Sequence, residues 1–206
     1  MLYLCCSKVI CNGCSYVNQK REYERRLEHK CPFCREAKPI TDEEANEQTM
    51  KRIEVNDPVA MCQMGTKRYH EGDHNSAFEY LSKAAALGDA DANFQLSLMH
   101  AEGEVVEKDE KKALHHAEQA AIGGHPIARH NLGWTEEQNR RLDRALKHYI
   151  IAAKLGYEDS LKFAKNLYKA GHVSKEDFSA ALRGYQIAIE ATKSPQREVA
   201  AEFYKK

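Results

Sequence analysis

No run in this chain approaches the ~20 consecutive apolar residues that a membrane-spanning helix needs, so no membrane partner is expected. An excess of charge of one sign is missing too. In 206 residues, 31 Lys and Arg stand against 31 Asp and Glu. A nucleic-acid footprint or a polybasic membrane anchor needs a basic surplus, and neither is expected. There is no Gly-rich phosphate loop, no nucleophile elbow and no His-Glu-x-x-His, which leaves no conventional catalytic residues. The opening MLYLCCSKVIC is too short and too rich in cysteine for a secretory signal. An intracellular setting is expected, and no basic run of targeting length separates cytoplasm from nucleus.

What is present is repetition. Ala77, Leu81, Ala84, Ala85 and Gly88 fall at i, i+4, i+7, i+8 and i+11. That is one small-residue stripe along a helix, with glycine where the helix stops. The stripe returns as Ala113, Ala117, Ala120, Ala121 and Gly124, then as Ala145, Tyr149, Ala152, Ala153 and Gly156. A weaker copy is Ala181, Tyr185, Ala188 and Ile189. Upstream of each stripe stands a pair with a four-residue gap: Ala60 and Met64, Ala92 and Leu96, Ala128 and Leu132, Ser160 and Ala164. Each unit therefore reads as two helices, A and B. A period in this range marks stacked supersecondary units. Gly103 and Gly171, Val105 and Val173, and Asp109 and Asp177 repeat at an offset of 68 residues in the longer A–B loops of units two and four.

The Leu, Gly, Gly-x-Val-x-x-x-Asp, Ala and Ala-Ala-x-x-Gly pattern resembles the Sel-1-like repeat, a relative of the tetratricopeptide repeat. Units one and three depart from it by lacking the Gly-x-Val loop, and unit four has Thr192 in place of glycine. The resemblance implies a mostly α fold: a right-handed α-solenoid of about four helix-turn-helix repeats, binding other proteins through its concave surface. The units are expected at about 57–90, 91–126, 127–158 and 159–192.

Six of the seven cysteines precede residue 35. In a reducing compartment such a cluster binds metal more readily than it forms disulfides. Cys11-x-x-Cys14 and Cys31-x-x-Cys34 are two knuckles, and Cys5 and Cys6 make a third pair. One zinc ion takes four ligands, so six cysteines exceed one site and fall short of two. A redox-sensitive or merely buried cluster is the alternative.

The run Cys6 to Cys14, a helix, and then Cys31-Pro32-Phe33-Cys34 resemble a RING finger, with Lys8 where the family places histidine. The cross-brace of that family implies one complete structural Zn²⁺ site from Cys5, Cys6, Cys31 and Cys34. Cys11 and Cys14 would be half of a second, and the first knuckle of the family pattern has no counterpart before them. A single site from Cys11, Cys14, Cys31 and Cys34 stays open beside it. The resemblance also implies Pro32 and Arg35 as contacts for a ubiquitin-conjugating enzyme. On this reading residues 1–38 are a partial RING-like zinc-binding module.

Between the knuckles a short helix is expected over Ser15 to Glu28, with Val17, Tyr23 and Leu27 on its apolar side. Residues 39–56 form a helical connector, started by a Thr41-Asp42-Glu43-Glu44 capping box. Cys62 reads as a small buried hydrophobe. Trp134 is either packed between units or presented to a partner. Ser194-Pro195 starts a last helix, within 193–206, expected to cap unit four with Val199, Ala200 and Phe203.

Overall fold

The structure, a computed structural model, describes residues 2–103 and 105–205. Among them are eleven helices and one two-stranded sheet. The chain divides into two compact units. One comprises residues up to Met64 together with those from Lys193 on, and the other is Gly65–Thr192.

The second unit holds most of the repeats. After α3 (Pro58–His70) come α4 (His74–Ala86), α5 (Ala90–Glu102), α6 (Glu110–Ile122), α7 (Pro126–Gln138), α8 (Leu142–Lys154), α9 (Glu158–Lys169) and α10 (Lys175–Thr192). From α4 to α10 each helix packs on the next, and α10 also lies against α8. The small-residue stripe is what these contacts bury. Ala77, Leu81, Ala84, Ala120, Ala145, Tyr149, Ala152, Ala153 and Ala181 are fully enclosed, and so are Ala92, Ala128, Ser160 and Ala164 on the A helices.

Two of the interfaces share a device that the stripe alone does not reveal. A Cβ on Gly65 would come within 2.7 Å of Leu81 Cγ, and one on Gly133 within 2.8 Å of Tyr149 Cε1. Both members of the pair recur at the 68-residue offset. An A-helix glycine thus admits the one bulky residue of the B-helix stripe. The Tyr149 hydroxyl keeps a partner, donating to Glu137 Oε2 at 2.6 Å. Burial, and then that bond and the Glu137 charge, hold the phenol well above its ordinary range.

The B–A turns are copies of one another. The amides of Asp89, His125 and Tyr157 donate to the carbonyls of Ala84, Ala120 and Ala152. The residue before each is a glycine at φ between +87° and +89°, a conformation that costs other residues energy. The same turn occurs earlier, in the first unit. Asp57 N–H donates to Arg52 O after a left-handed Asn56. The connector helix α2 (Asp42–Glu54) therefore ends like a B helix and has the same 13-residue length as α4. Its stripe, Ala45, Thr49, Arg52, Ile53 and Asn56, is too polar to recognise. The capping box at its start is present: Glu44 N–H donates to Thr41 Oγ1, and Ile40 N–H to Glu44 Oε2.

Polar pins join helices within a repeat and between repeats. Gln95 Nε2 donates to Thr66 Oγ1 at 2.8 Å, His116 Nδ1 meets Asn93 Oδ1 at 2.9 Å, and His130 Nδ1 meets Ser160 Oγ at 2.9 Å. His125 caps α7, its Nδ1 accepting from Ala128 N–H, and its ring stacks on Phe94 at 4.1 Å.

Three expectations are corrected. The last helix, α11 (Pro195–Phe203), starts at the Ser194 cap as read, and it packs on α1 (Asn12–Glu24) of the first unit, where a lid on unit four was expected. Ala200 is its buried residue, whereas Val199 and Phe203 are about half exposed. Secondly, α1 starts three residues before Ser15, and its apolar side is not its buried side. Val17, Tyr23 and Leu27 are exposed, while Gly13, Ser15 and Glu22 are enclosed. A Cβ on Gly13 would stand 2.6 Å from Arg197 N, so backbone approach to α11 sets which face is covered. Thirdly, the loops of units two and four are not copies throughout. Asp109 is the N-cap of α6, but its counterpart Asp177 sits one turn inside α10, and Ser174 takes the cap.

Overpacking a stripe position is costly. Ala152→Leu should lower unfolding free energy by about 1–3 kcal/mol in urea titrations, while Leu at exposed Ala86 should leave it near the parent value.

Burial, the largest influence in each case, holds His116, His125, His130 and His148 below the ordinary imidazole range. The stability this carries is complete above the unfolded value of about 6.5. It is lost as pH falls below that value, because the unfolded chain then binds protons that the fold does not. The melting temperature of the repeats should therefore drop between about pH 7 and pH 5, and less so in His116→Gln, when scanned by circular dichroism.

Candidate metal centre

Two short turns in the first unit face each other. The strands β1 (Leu2–Tyr3) and β2 (Lys8–Val9) pair antiparallel, with Leu2 opposite Val9, and the turn between them carries Cys5 and Cys6. The second turn is closed by a bridge between Lys30 and Ala37 and by Cys31 N–H donating to Glu36 O at 2.7 Å. It carries Cys31 and Cys34. Each turn leaves its second cysteine through a left-handed residue, Ser7 at φ 51° and Arg35 at φ 68°. The Tyr3 and Phe33 rings meet edge to face at 6.0 Å, joining the two turns.

The four sulfurs converge. Cys6 Sγ lies 3.6 Å from Cys31 Sγ, and Cys34 Sγ lies 3.4 Å from Cys5 Sγ. All four are within 4.8 Å of one another, the one such group among the described residues. A tetrahedral zinc with Zn–S of about 2.3 Å needs S–S edges of about 3.8 Å. The spacing fits that ion, and an all-sulfur donor set is the soft kind that selects it.

The electrostatics suit a thiolate centre. Burial pushes the Cys31 thiol up, but the N–H groups of Cys34 and Phe33 and the neighbouring thiols outweigh it and bring it to about 7. Burial, then the sulfurs of Cys34 and Cys31, hold Cys5 well above the usual thiol range. Burial also raises Cys6. One thiolate thus forms readily and its neighbours resist, as repulsion between like charges demands. A cation at the centre would reverse that resistance. Two ammonium groups lie close by, Lys8 Nζ 5.4 Å from the Phe33 ring and Lys38 Nζ 5.4 Å from the Tyr3 ring.

Of the six cysteines singled out in the sequence, the structure thus gathers four and leaves Cys11 and Cys14 outside. Among the described residues, the sulfurs of Cys11, Cys14, Cys31 and Cys34 are not gathered into one such group. Cys11 and Cys14 sit together at the start of α1, where Cys11 is the N-cap and accepts from Cys14 N–H at 3.4 Å. Pro32 is half-buried and Arg35 exposed on the second turn. Cys62 is buried in α3 and Trp134 is half exposed on α7.

Sequence reading missed Glu22. It is buried on α1, accepts from Asn18 Nδ2 at 2.7 Å, meets His29 Nδ1 at 2.8 Å and has Lys38 Nζ at 3.8 Å. Burial raises its carboxyl, and His29, Asn18 and Lys38 outweigh that, so it stays below the usual carboxylate range. It ties α1 to the segment on either side of the second cysteine turn. Its alternation with basic residues gave no sign of this, because such patterns ordinarily mark a solvated face.

The Sel1 repeat family matches at residues 58–89, 90–125 and 127–157. Similar solved structures include a Sel1 repeat protein from Oxalobacter formigenes, at 23% identity and TM-score 0.60, over 88% of this chain and 74% of that one. Another is c5321, a protective antigen present in uropathogenic Escherichia coli strains, at 22% identity and TM-score 0.55, over 80% of this chain and 37% of that one. A third is PA5086 from Pseudomonas aeruginosa, at 20% identity and TM-score 0.51, over 84% of this chain and 67% of that one. At these identities the likeness concerns the fold alone. No curated protein sequence matches the chain. The family matches and the buried alanine stripes agree, and residues 58–157 of this chain are an array of Sel1 repeats.

Proposed function

We propose that the chain is a protein-interaction scaffold: Sel1 repeats present a binding surface, and a zinc-stapled head is carried beside them in sequence. The observation that carries this reading is the Sel1 array itself. Its helices use their small-residue stripes on one another, so the remaining faces are available to a partner. Large apolar side chains stand on those faces, among them Ile122, Trp134 and Ile187, each at least half exposed. Tryptophan is the side chain most enriched among interface anchors.

In the head, Cys5, Cys6, Cys31 and Cys34 would hold Zn²⁺ as a structural ion. Bound there, the ion supplies a cross-link between two turns whose own core is little more than Tyr3 and Cys31. Small modules of this kind draw much of their folding energy from the metal. The chain's own contribution is to aim the sulfurs, through the two left-handed exits and the amide of Phe33 donating to Cys31 Sγ at 3.4 Å.

A second, finer reading is a RING-type ubiquitin ligase whose repeats select the substrate. It is favoured by one observation: the Cys5–Cys6 pair joins Cys31–Cys34 across the intervening Cys11 and Cys14, which is the order that a cross-brace imposes. Pro32 and Arg35 would then meet a ubiquitin-conjugating enzyme.

Zinc content separates the metal reading from a merely packed cluster. Purified chain should carry one zinc by elemental analysis, Cys31→Ala none, and Cys62→Ser one. Metal retained in Cys31→Ala would remove the reading.

Quantitative affinity capture tests the scaffold. Proteins retained by the full chain should be lost with Trp134→Ala and kept with Cys31→Ala, while melting of the repeats stays unchanged in both. In parallel, ubiquitin chains formed by the purified protein with a panel of conjugating enzymes, and abolished by Arg35→Ala, would establish the ligase reading instead.

A further inference from the structure

One face of α1 borders a trough of about 1240 Å³ that neither the repeats nor the cysteine tetrad uses. Tyr16 and Tyr23 come to it from α1, Phe203 from α11, and Pro39 and Ile40 from the segment that leads into α2. We propose that this trough holds a proline-rich segment of another protein in the polyproline II conformation, with a basic residue of that segment at the end marked by Glu24 and Glu28.

The fold gives these side chains little to do. Tyr23 is 84% exposed, Ile40 is 91% exposed, and Phe203 is about half exposed. Large apolar side chains gathered round one hollow mark an interaction site, where the same residues scattered singly would not. The hollow exceeds the ~300–1,000 Å³ of small-ligand pockets, which points to a peptide chain as its occupant.

The trough does not offer that chain a strand edge. Lys38 N–H donates to His29 O at 3.1 Å, and Ile40 N–H donates to Glu44 Oε2 at 2.7 Å. Pro39 between them has no N–H, and Ala37 O accepts from Gln48 Nε2 at 2.9 Å. Between Lys38 and Ile40 no amide is left for an added strand. Recognition therefore falls to side chains, and three of the five large apolar ones are aromatic. Aromatic-lined grooves take polyproline II, a conformation largely in place before binding.

The ring spacing matches. Tyr16 and Tyr23 are seven residues apart in one helix, an advance of about 10.5 Å. One turn of polyproline II advances about 9.3 Å. The Tyr16 and Phe203 rings, with centroids 5.1 Å apart and planes at 51°, receive one proline. Tyr23 receives the proline one turn on.

Charge sets the direction of the peptide. Lys38 and His29 are drawn to the buried Glu22 carboxylate, at 3.8 and 2.8 Å. At the Tyr23 end stand Glu24, whose ion pair with Lys20 is 3.8 Å long, and Glu28, whose side chain is 81% exposed. Glu28 meets Lys30 at 2.8 Å, but surface pairs of this kind are weak. An arginine, with its fork of N–H donors, suits these carboxylates.

The test titrates the full chain into a fluorescently labelled oligoproline of about nine residues with one terminal arginine, and reads anisotropy. Binding should saturate. Tyr23→Ala, at a position with little buried surface, should weaken it roughly tenfold, and Tyr23→Phe should keep most of it. Glu28→Gln should weaken binding of the arginine peptide and leave that of an arginine-free one unchanged. Trp134→Ala should bind like the parent, which keeps this site distinct from the repeat surface. A Gly-Ser peptide of the same length and charge should not bind. Absence of saturable binding, equal affinity in Tyr23→Ala, equal binding of the Gly-Ser peptide, or loss of binding in Trp134→Ala would overturn the proposal. So would dimerisation of the parent chain in sedimentation that Tyr23→Ala abolishes, because a second copy would then be the occupant.

Discussion

The contact on which the repeat array depends is an alanine methyl pressed between helices. Ala77, Ala120, Ala145, Ala152 and Ala181 have no exposed surface. Each buries little area by itself, but a small side chain lets two helix axes approach, and the gain is collected by the longer residues around it. Leu146, Leu167 and Val173 close over Ala145, Ala164 and Ala181 in one cluster, and Phe94 lies against Ala120, Ala121, Ala128 and Leu132 in another. Where the stripe needs a larger residue, the facing helix yields a glycine: Gly65 for Leu81 and Gly133 for Tyr149. The spacing of units and the repeated turn follow from keeping this stripe in register.

A stripe of methyl groups is permissive, because one alanine can replace another when a helix slides by a turn. The pins Thr66–Gln95, Asn93–His116 and His130–Ser160 remove that freedom. Each would strand a polar group if the register changed, and an unpaired buried polar group costs more than its bond contributes. The A-helix caps show how far the array drifts while keeping its turns. Asp57 and Asp89 accept from the first-turn amides, His125 does so with a ring nitrogen, and Tyr157 provides no side-chain cap.

The repeats were legible because their signal is local and recurs: two four-residue gaps per unit, then a glycine. The caps at Thr41 and Ser194 were legible because they need only adjacent residues. The end of α2 was not, since Thr49, Arg52 and Asn56 stand where the B helices of units one to three carry Leu, Ala or Tyr, then Ala, then Gly, and only the backbone preserves the likeness. Nor was the partner of α11, because the contact between Tyr204 and Gln19 spans 185 residues and no pattern along the chain encodes it. Among the cysteines, spacing yielded pairs. Which pair joins which is a property of two turns closing on each other, and the amides and carbonyls that close them belong to every sequence alike.

The pairing of α1 with α11 bears on how the molecule comes into being. The head is completed by a segment that lies beyond the whole array in sequence, so the repeats are synthesised before Gly13 meets the backbone it was left bare to receive. The Sel1 array, whose contacts are sequential, is able to assemble during translation, whereas the cysteine-bearing unit waits for α11. A nonsense or frameshift change within the codons of α11 would therefore be felt first in α1.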